Sequence, residues 1–402
     1  MKPSGHITSV LIFLTILLSP LYVIRFSILG IPTTVLEILI LVTTIFWISY
    51  KIRYDEKLTA VPSSVGVSLL LISGGLFAGV IFSVDVVLAI GHARAYFIEP
   101  MIFGYIVFDA LQNQYSVHVF KRTFSTIKLV LGSWFGASFG LSVLGLLQLY
   151  FSQLVITSHQ FDRAHGVFNN ANALALFIGP VLVYRISQYM TGKQKVSKMT
   201  IFDLVILLAF IATKSMGGIL TLVVVTVCEY IFHKGFAHIW RVVLVGMSVA
   251  FMAFVIIISN FTPQVDNPWV RTGGTATIRM CVWEGTRNLL LDKPLIGAGL
   301  RSFQTVYSKD YTTCDAEPLA YPHNILLNFW VEIGIVGLAG VLLLLYKSIN
   351  GTSSMVVSAI LMYWVIQGMV DVPYFKNDLS LLFWITIALG MYLSKQKEKA
   401  TK

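Results

Sequence analysis

The chain has 402 residues, 56% of them hydrophobic and 12% charged, with a formal net charge of +10. A soluble domain carries about 25% charged residues, so this composition excludes an ordinary soluble globular protein. The basic excess fits the cytoplasmic loops of a membrane protein better than nucleic-acid binding, for which no separate basic domain exists.

Continuous apolar runs such as Val242 to Ser259 point to helices, which satisfy their own backbone hydrogen bonds in lipid. A transmembrane barrel would show short alternating segments instead. Lys2 and the apolar run from Ile7 have the look of a signal peptide. No small-residue cleavage pattern follows, so the run is read as a first retained helix. The hydropathy pattern predicts about twelve spans, at 7–24, 28–50, 61–82, 94–111, 124–150, 171–190, 201–213, 217–232, 242–259, 325–346, 353–370 and 376–393. The seventh and eighth are short, and Lys214, Ser215 and Met216 between them make either a tight hairpin or one broken helix. The expected fold class is an all-α integral membrane protein in three parts: spans one to nine over 1–259, a long external loop over 260–323, and the last three spans with a tail over 324–402.

Placing the N-terminus in the cytoplasm puts most of the 29 Lys and Arg inside, including Lys51, Arg53, Lys57, Lys193, Lys195, Lys198 and the C-terminal lysines. This is the orientation that the bias of short loops demands. The long loop carries Arg271, Arg279, Arg287, Lys293, Arg301 and Lys309, which does not conflict, because long loops translocate largely regardless of charge. A loop of this length is functional or disordered. Here Thr275 or Thr277 starts a helix reaching about Leu291, with Ile278, Val282 and Leu289 as its apolar stripe. Gly297 and Gly299 mark a tight turn. Because they follow a helix and not a strand, a dinucleotide site is not expected. Cys281 and Cys314 share this external loop, where disulfides persist; the two readings are a bridge between them and two free thiols whose Cα atoms lie too far apart to join. Cys228 falls inside a span and reads as an inert apolar residue.

Three stretches gather polar groups where spans meet the outer surface: Arg163 to Asn172, Arg279 with Trp283 and Arg287, and Tyr321 to Asn324. Arginine at that depth suits phosphate, whose oxygens match the guanidinium fork. The plainer alternative is that these side chains snorkel to lipid headgroups or pair with Asp162, Glu284 or Asp292. His323 is a candidate general base, since histidine titrates near neutrality, and otherwise a helix-capping or packing residue. Asn324 is placed to orient the ring or a substrate hydroxyl. His92, His159, His165 and His323 have no metal-ligand spacing, so no metal is expected. Serine-hydrolase and Walker patterns are absent.

Taken in order, these motifs resemble the bacterial O-antigen ligase and polymerase superfamily of polytopic glycan transferases. The resemblance rests on Arg163-x-x-Gly166-x-Phe168-x-Asn170-x-Asn172, then Arg279-x-x-x-Trp283, then Pro294-x-x-Gly297-x-Gly299-x-x-x-Phe303. His323-Asn324, Glu332-x-Gly334-x-x-Gly337 and the stretch from Asp371 to Trp384 complete it. It covers the chain from about Arg163 to the C-terminus.

The resemblance implies transfer of a glycan from an undecaprenyl-pyrophosphate carrier to a glycan, lipid or protein acceptor. The reaction would take place on the outer, periplasmic face of the cytoplasmic membrane. It implies a pyrophosphate contact for Arg279, activation of the acceptor hydroxyl by His323, an unsettled role for Arg163, and no metal, nucleotide or other cofactor. The sequence departs from the family at Met216, where an arginine is common; Lys214 supplies the charge there as a point rather than a fork. The expected substrate-binding set is therefore Arg279, Arg163, Lys214, Asn324 and Arg287. Two other readings stand beside it: a transporter of lipid-linked or anionic solute using the buried acids Glu37, Glu99 and Asp109, and a scaffold without catalysis.

Overall fold

The computed structural model describes residues 3–119, 122–151, 154, 162–191, 200–233, 275–313, 319–351 and 355–401. Among them the structure is helical apart from two short hairpins. Among the described residues, six helical stretches are long and apolar enough to cross a membrane: 35–53, 86–112, 126–148, 171–190, 325–349 and 377–396. Five further apolar helices are shorter. The expected ninth span, 242–259, lies outside the described residues, as does Cys314.

The N-terminal half differs from the expected spans in where helices begin. Helix α1 (Pro3–Leu17) stops at a 3-10 turn (Ser19–Val23) that contains Pro20. The second helix does not start at 28. Strands β1 (Arg25–Ile28) and β2 (Ile31–Thr34) form an antiparallel hairpin first. Leu29 and Gly30 both take positive φ at its tip, the conformation of a tight two-residue hairpin turn. Pro32 has no N–H to give a helix. Helix α2 (Val35–Arg53) then begins on Thr34, whose hydroxyl accepts from the Glu37 amide. Helix α3 (Ser63–Ile81) follows. The fourth span starts eight residues earlier than expected, because Asp85 caps α4 (Val86–Ala93); a π-helical turn at Arg94–Ile98 carries it into α5 (Glu99–Gln112). A second hairpin, β3 (Ser116–Val119) and β4 (Arg122–Ser125), leads to α6 (Thr126–Gln148).

The C-terminal half packs α7 (Ala171–Met190) against α8 (Ile201–Ala212) and α9 (Met216–His233). The last two are separate helices joined by a three-residue turn. The loop helix α10 spans Thr275–Asp292. Its Ile278, Val282 and Leu289 pack with Phe303 and Val306 of α11 (Phe303–Asp310) and with Val331 in a second, smaller core. Helices α12 (Ile325–Gly351), α13 (Met355–Gly368) and α14 (Asn377–Thr401) close the bundle.

The segment between α10 and α11 is stitched into the bundle by backbone. Ala298 and Gly299 donate to the Val331 carbonyl at 2.8 and 3.1 Å, and Leu300 donates to the Gly79 carbonyl at 2.8 Å. A Cβ on Gly299 would stand 2.6 Å from the Phe82 carbonyl oxygen, and its φ is +88°. Only glycine meets both demands. Helix α12 breaks its own ladder to receive the segment: Gly334 has φ 66° and ψ −178°, and Ile335 donates to Leu295 instead. Glu332 accepts from the Arg301 amide at 2.6 Å. The Pro-Gly-Gly and Glu-Gly stretches are thus two halves of one interlock, which fixes the start of α12 and His323 just before it.

Candidate functional site

The α8–α9 turn, the segment before α7, the loop helix and the loop between α13 and α14 meet at one end of the bundle. They enclose a cavity of about 200 Å³ lined by Arg163, Asn172, Lys214, Arg279, Gln367 and Asp371, with Ser215, Met216, Gly217 and Val370. Three cationic side chains face one carboxylate there. The residues before α7 explain their motif locally. Gly166, with φ +61°, exchanges two hydrogen bonds with the buried Gln148 carboxamide. Phe168 is buried, Asn170 caps α7 through the Ala173 amide, and Asn172 accepts from Arg163 at 3.0 Å. Arg163 also donates through Nε to the Thr213 carbonyl at 2.7 Å, so it braces the α8–α9 turn while lining the cavity. Lys214, at φ +48°, pairs with Asp162 at 3.2 Å on the exposed rim.

Arg279 is the least satisfied of the three. Its Nε is buried and has no hydrogen-bond partner among the described residues. Burial works against its charge and the Asp371 carboxylate works for it. A buried donor left unmade costs about 1–3 kcal/mol. Arg287 does not join it. Eight residues along α10, it is exposed on a different face and lines no part of the cavity.

His323 is presented by its backbone. It sits at φ +51°, costing about 1–2 kcal/mol for an L-residue. Trp283, one turn on from Arg279, donates its indole N–H to the Pro322 carbonyl at 2.8 Å. Asn324 caps α12, accepting from the Leu326 and Leu327 amides and donating to the Met369 carbonyl. Both ends of its carboxamide thus have partners within the chain. The His323 Nδ1 lies 3.6 Å from Asp371 Oδ1, longer than a hydrogen bond. Burial pushes the Asp371 carboxyl up, but His323, Arg279 and Lys376 together outweigh it and hold the group well below the usual carboxylate range. Asp371 is the site residue that sequence reasoning missed. Its signal was an acid in the short polar break between two spans.

The acids of the transporter reading have structural partners. Glu37 pairs with Arg94 at 2.7 Å and accepts from Asn377; Glu99 pairs with Arg94 at 3.3 Å; Asp109 pairs with Lys51 at 2.8 Å and accepts from Trp47. Cys281 carries a free thiol, and Cys314, the other half of the possible bridge, lies outside the described residues.

Residues 201–342 match the family model described as O-Antigen ligase. The chain is also similar to proteins named "Putative polysaccharide ligase" from three Rickettsia species. It is 27% identical to that of Rickettsia conorii over 123 residues, which is 29% of this chain and 30% of the relative. For Rickettsia prowazekii the figures are 26% over 151 residues, 36% and 35%; for Rickettsia bellii, 29% over 114 residues, 27% and 28%. These findings support the O-antigen ligase superfamily. The alignments span about a third of the length of these relatives. In the O-antigen ligase match, the boundaries 201 and 342 enclose Lys214, Arg279, His323 and the interlock around Glu332, and leave Arg163 and Asp371 outside.

Proposed function

We propose that the protein is a membrane-embedded glycan transferase of the O-antigen ligase type. On this reading it moves a glycan from undecaprenyl pyrophosphate to an acceptor hydroxyl, at the periplasmic end of a twelve-span bundle. The observation that carries the reading is the single cavity shared by Arg163, Lys214, Arg279 and Asp371, with His323 beside Asp371. Arg279 binds the pyrophosphate through its guanidinium and stabilises the charge that builds as the carrier leaves. Lys214 adds a point charge at the rim. Arg163, already committed to Thr213 and Asn172, holds the turn that presents Lys214.

His323 takes the proton from the attacking hydroxyl. A bond forms between that oxygen and the anomeric carbon, and the bond from the anomeric carbon to the pyrophosphate oxygen breaks. Asp371 positions the ring and stabilises the imidazolium that results. No step requires a metal. The test is a deletion strain analysed for lipid-linked glycan. Loss of a ligase leaves finished polymer on the carrier, and loss of a polymerase leaves single repeat units. Glycan trapped on the cytoplasmic side would overturn the reading and favour a transporter.

A further inference from the structure

Gln367 lines the arginine cavity from the last turn of α13, one helical turn of sequence before Asp371. Its backbone carbonyl accepts from the Val370 amide at 3.2 Å, the bond that turns the chain out of α13. The start of α9 comes close on the other side because it carries no side chains there. A Cβ on Gly217 would stand 3.1 Å from Val370 Cγ2, and one on Gly218 would stand 3.4 Å from Gln367 Nε2. Gln367 is 1% exposed, and its buried Oε1 has no hydrogen-bond partner among the described residues. The other neutral polar side chains of the wall have partners: Asn172 accepts from Arg163, and the Ser215 hydroxyl accepts from the Gly218 amide at 3.3 Å. Arginine and lysine only donate, and a carboxylate such as that of Asp371 only accepts. Gln367 therefore brings to the cavity a neutral group that does both, with its acceptor unused.

Most buried side-chain oxygens in folded chains have a donor, and one left without is costly. A ligand that satisfies Gln367 Oε1 must donate. A pyrophosphate oxygen only accepts, and would meet the Nε2 end alone. A hydroxyl or an amide N–H serves the oxygen. The terminal torsion of glutamine is broad and roughly two-fold, so the carboxamide turns either end to the cavity without leaving its wall. With the pyrophosphate at Arg279, the nearest donor group that arrives with it is on the sugar ring it carries. That group is the hydroxyl or acetamido N–H on the carbon next to the anomeric carbon. We propose that Gln367 binds this group, and so sets the orientation of the donor's first sugar relative to the pyrophosphate. In glycosidases, hydrogen bonds to this position strengthen as the glycosidic bond breaks. The assignment rests on the reading that the arginine cavity takes the donor pyrophosphate.

The experiment titrates the full chain in lipid nanodiscs with undecaprenyl pyrophosphate, bare or bearing a single glucose, N-acetylglucosamine or 2-deoxyglucose. The unmodified protein should bind the glucose or the N-acetylglucosamine form about fivefold or more tightly than the 2-deoxyglucose form, which has no donor at that carbon. Fivefold corresponds to about 1 kcal/mol, the net worth of one neutral hydrogen bond. Gln367→Met, of similar length and without the carboxamide, should lose this preference. Its affinity for the bare carrier should stay within about twofold of the unmodified protein's. The comparison of sugars on the unmodified protein decides by itself if the variant does not fold. Equal affinity there for all the sugar-bearing forms overturns the assignment, as does an undiminished preference in Gln367→Met. An equal loss for the bare carrier overturns it too, and puts Gln367 on the pyrophosphate instead. If the unmodified protein does not bind the bare carrier, the donor reading itself falls and takes the assignment with it. Bound carrier without discrimination between sugars sinks the assignment alone.

Discussion

At the residue scale, the division of labour between His323 and Arg279 makes opposite predictions for two variants. His323→Ala should lower turnover by about 10²–10⁴-fold, the usual loss for an acid–base group, while undecaprenyl pyrophosphate still binds. Arg279→Lys should weaken donor binding, because a point charge cannot replace the guanidinium fork. Near-normal turnover of folded His323→Ala protein would remove the histidine from the chemistry. Asp371 carries a third prediction. Its carboxyl is held below the usual range in the folded state. The stability this contributes is fully present above about pH 4, the ordinary aspartate value, and is lost as the pH falls below it towards the folded value. Thermal melts from pH 6 downward should therefore show an acid-dependent loss in the unmodified protein. Asp371→Asn should lack that loss, and identical pH profiles would show that the pairing does not stabilise the fold. The roles of Asn324 and Arg287 were not legible in the residues themselves. An asparagine before a helix serves equally as cap or ligand, and the choice depended on whether its amide faced free N–H groups or the cavity.

At the scale of elements, the long loop acts as a clamp rather than a tether. Trp283 reaches from α10 to the Pro322 carbonyl, and Gly297 to Leu300 fill the gap between α3 and α12. Trp283→Phe should cost about 1 kcal/mol of local stability for the lost hydrogen bond. It should also reduce turnover more than donor affinity, because it frees the approach to His323. Kinetics that separate the two quantities would check this; an equal fall in both would mean that Trp283 supports the donor cavity instead. Gly299→Ala forces a side chain into positive φ and against the Phe82 carbonyl, and should lower the unfolding temperature in a thermal-shift assay. The loop helix was readable from its caps and stripe because amphipathicity is a local pattern. The two hairpins were not. Residues 28–34 are apolar enough to pass for the start of the second span, and the positive φ at Leu29 and the missing donor at Pro32 go with strands there; residues 116–125, with Lys121 and Arg122, read only as a loop.

At the scale of the whole molecule, every contact of the candidate site lies at one end of the bundle. The opposite end is held by Lys51, Asp109 and Glu56, and by Arg185 with Asp203. On the orientation proposed from the basic residues, that opposite end faces the cytoplasm. A cysteine introduced at Lys309 should react with an impermeant maleimide in intact cells, and one at Lys57 should react only after lysis. Both positions are exposed. Labelling at Lys57 in intact cells would invert the topology and move the cavity to the wrong face for a periplasmic transfer.

The sequence by itself determined that this is a helical membrane protein with a motif-bearing helix, Thr275–Asp292, ahead of the last apolar helices. Each of these follows from composition or from patterns a few residues long, which lipid and local hydrogen bonding enforce directly. Only the tertiary structure decided which polar groups share a cavity. Arg163, Lys214, Arg279 and Asp371 are brought together from far-apart segments by the bracing of the α8–α9 turn and the interlock of the loop with α12. The contacts that occupy Asn324 and Glu37, and that leave Arg279 Nε without a partner among the described residues, are chosen by packing between distant helices, on which no local pattern reports.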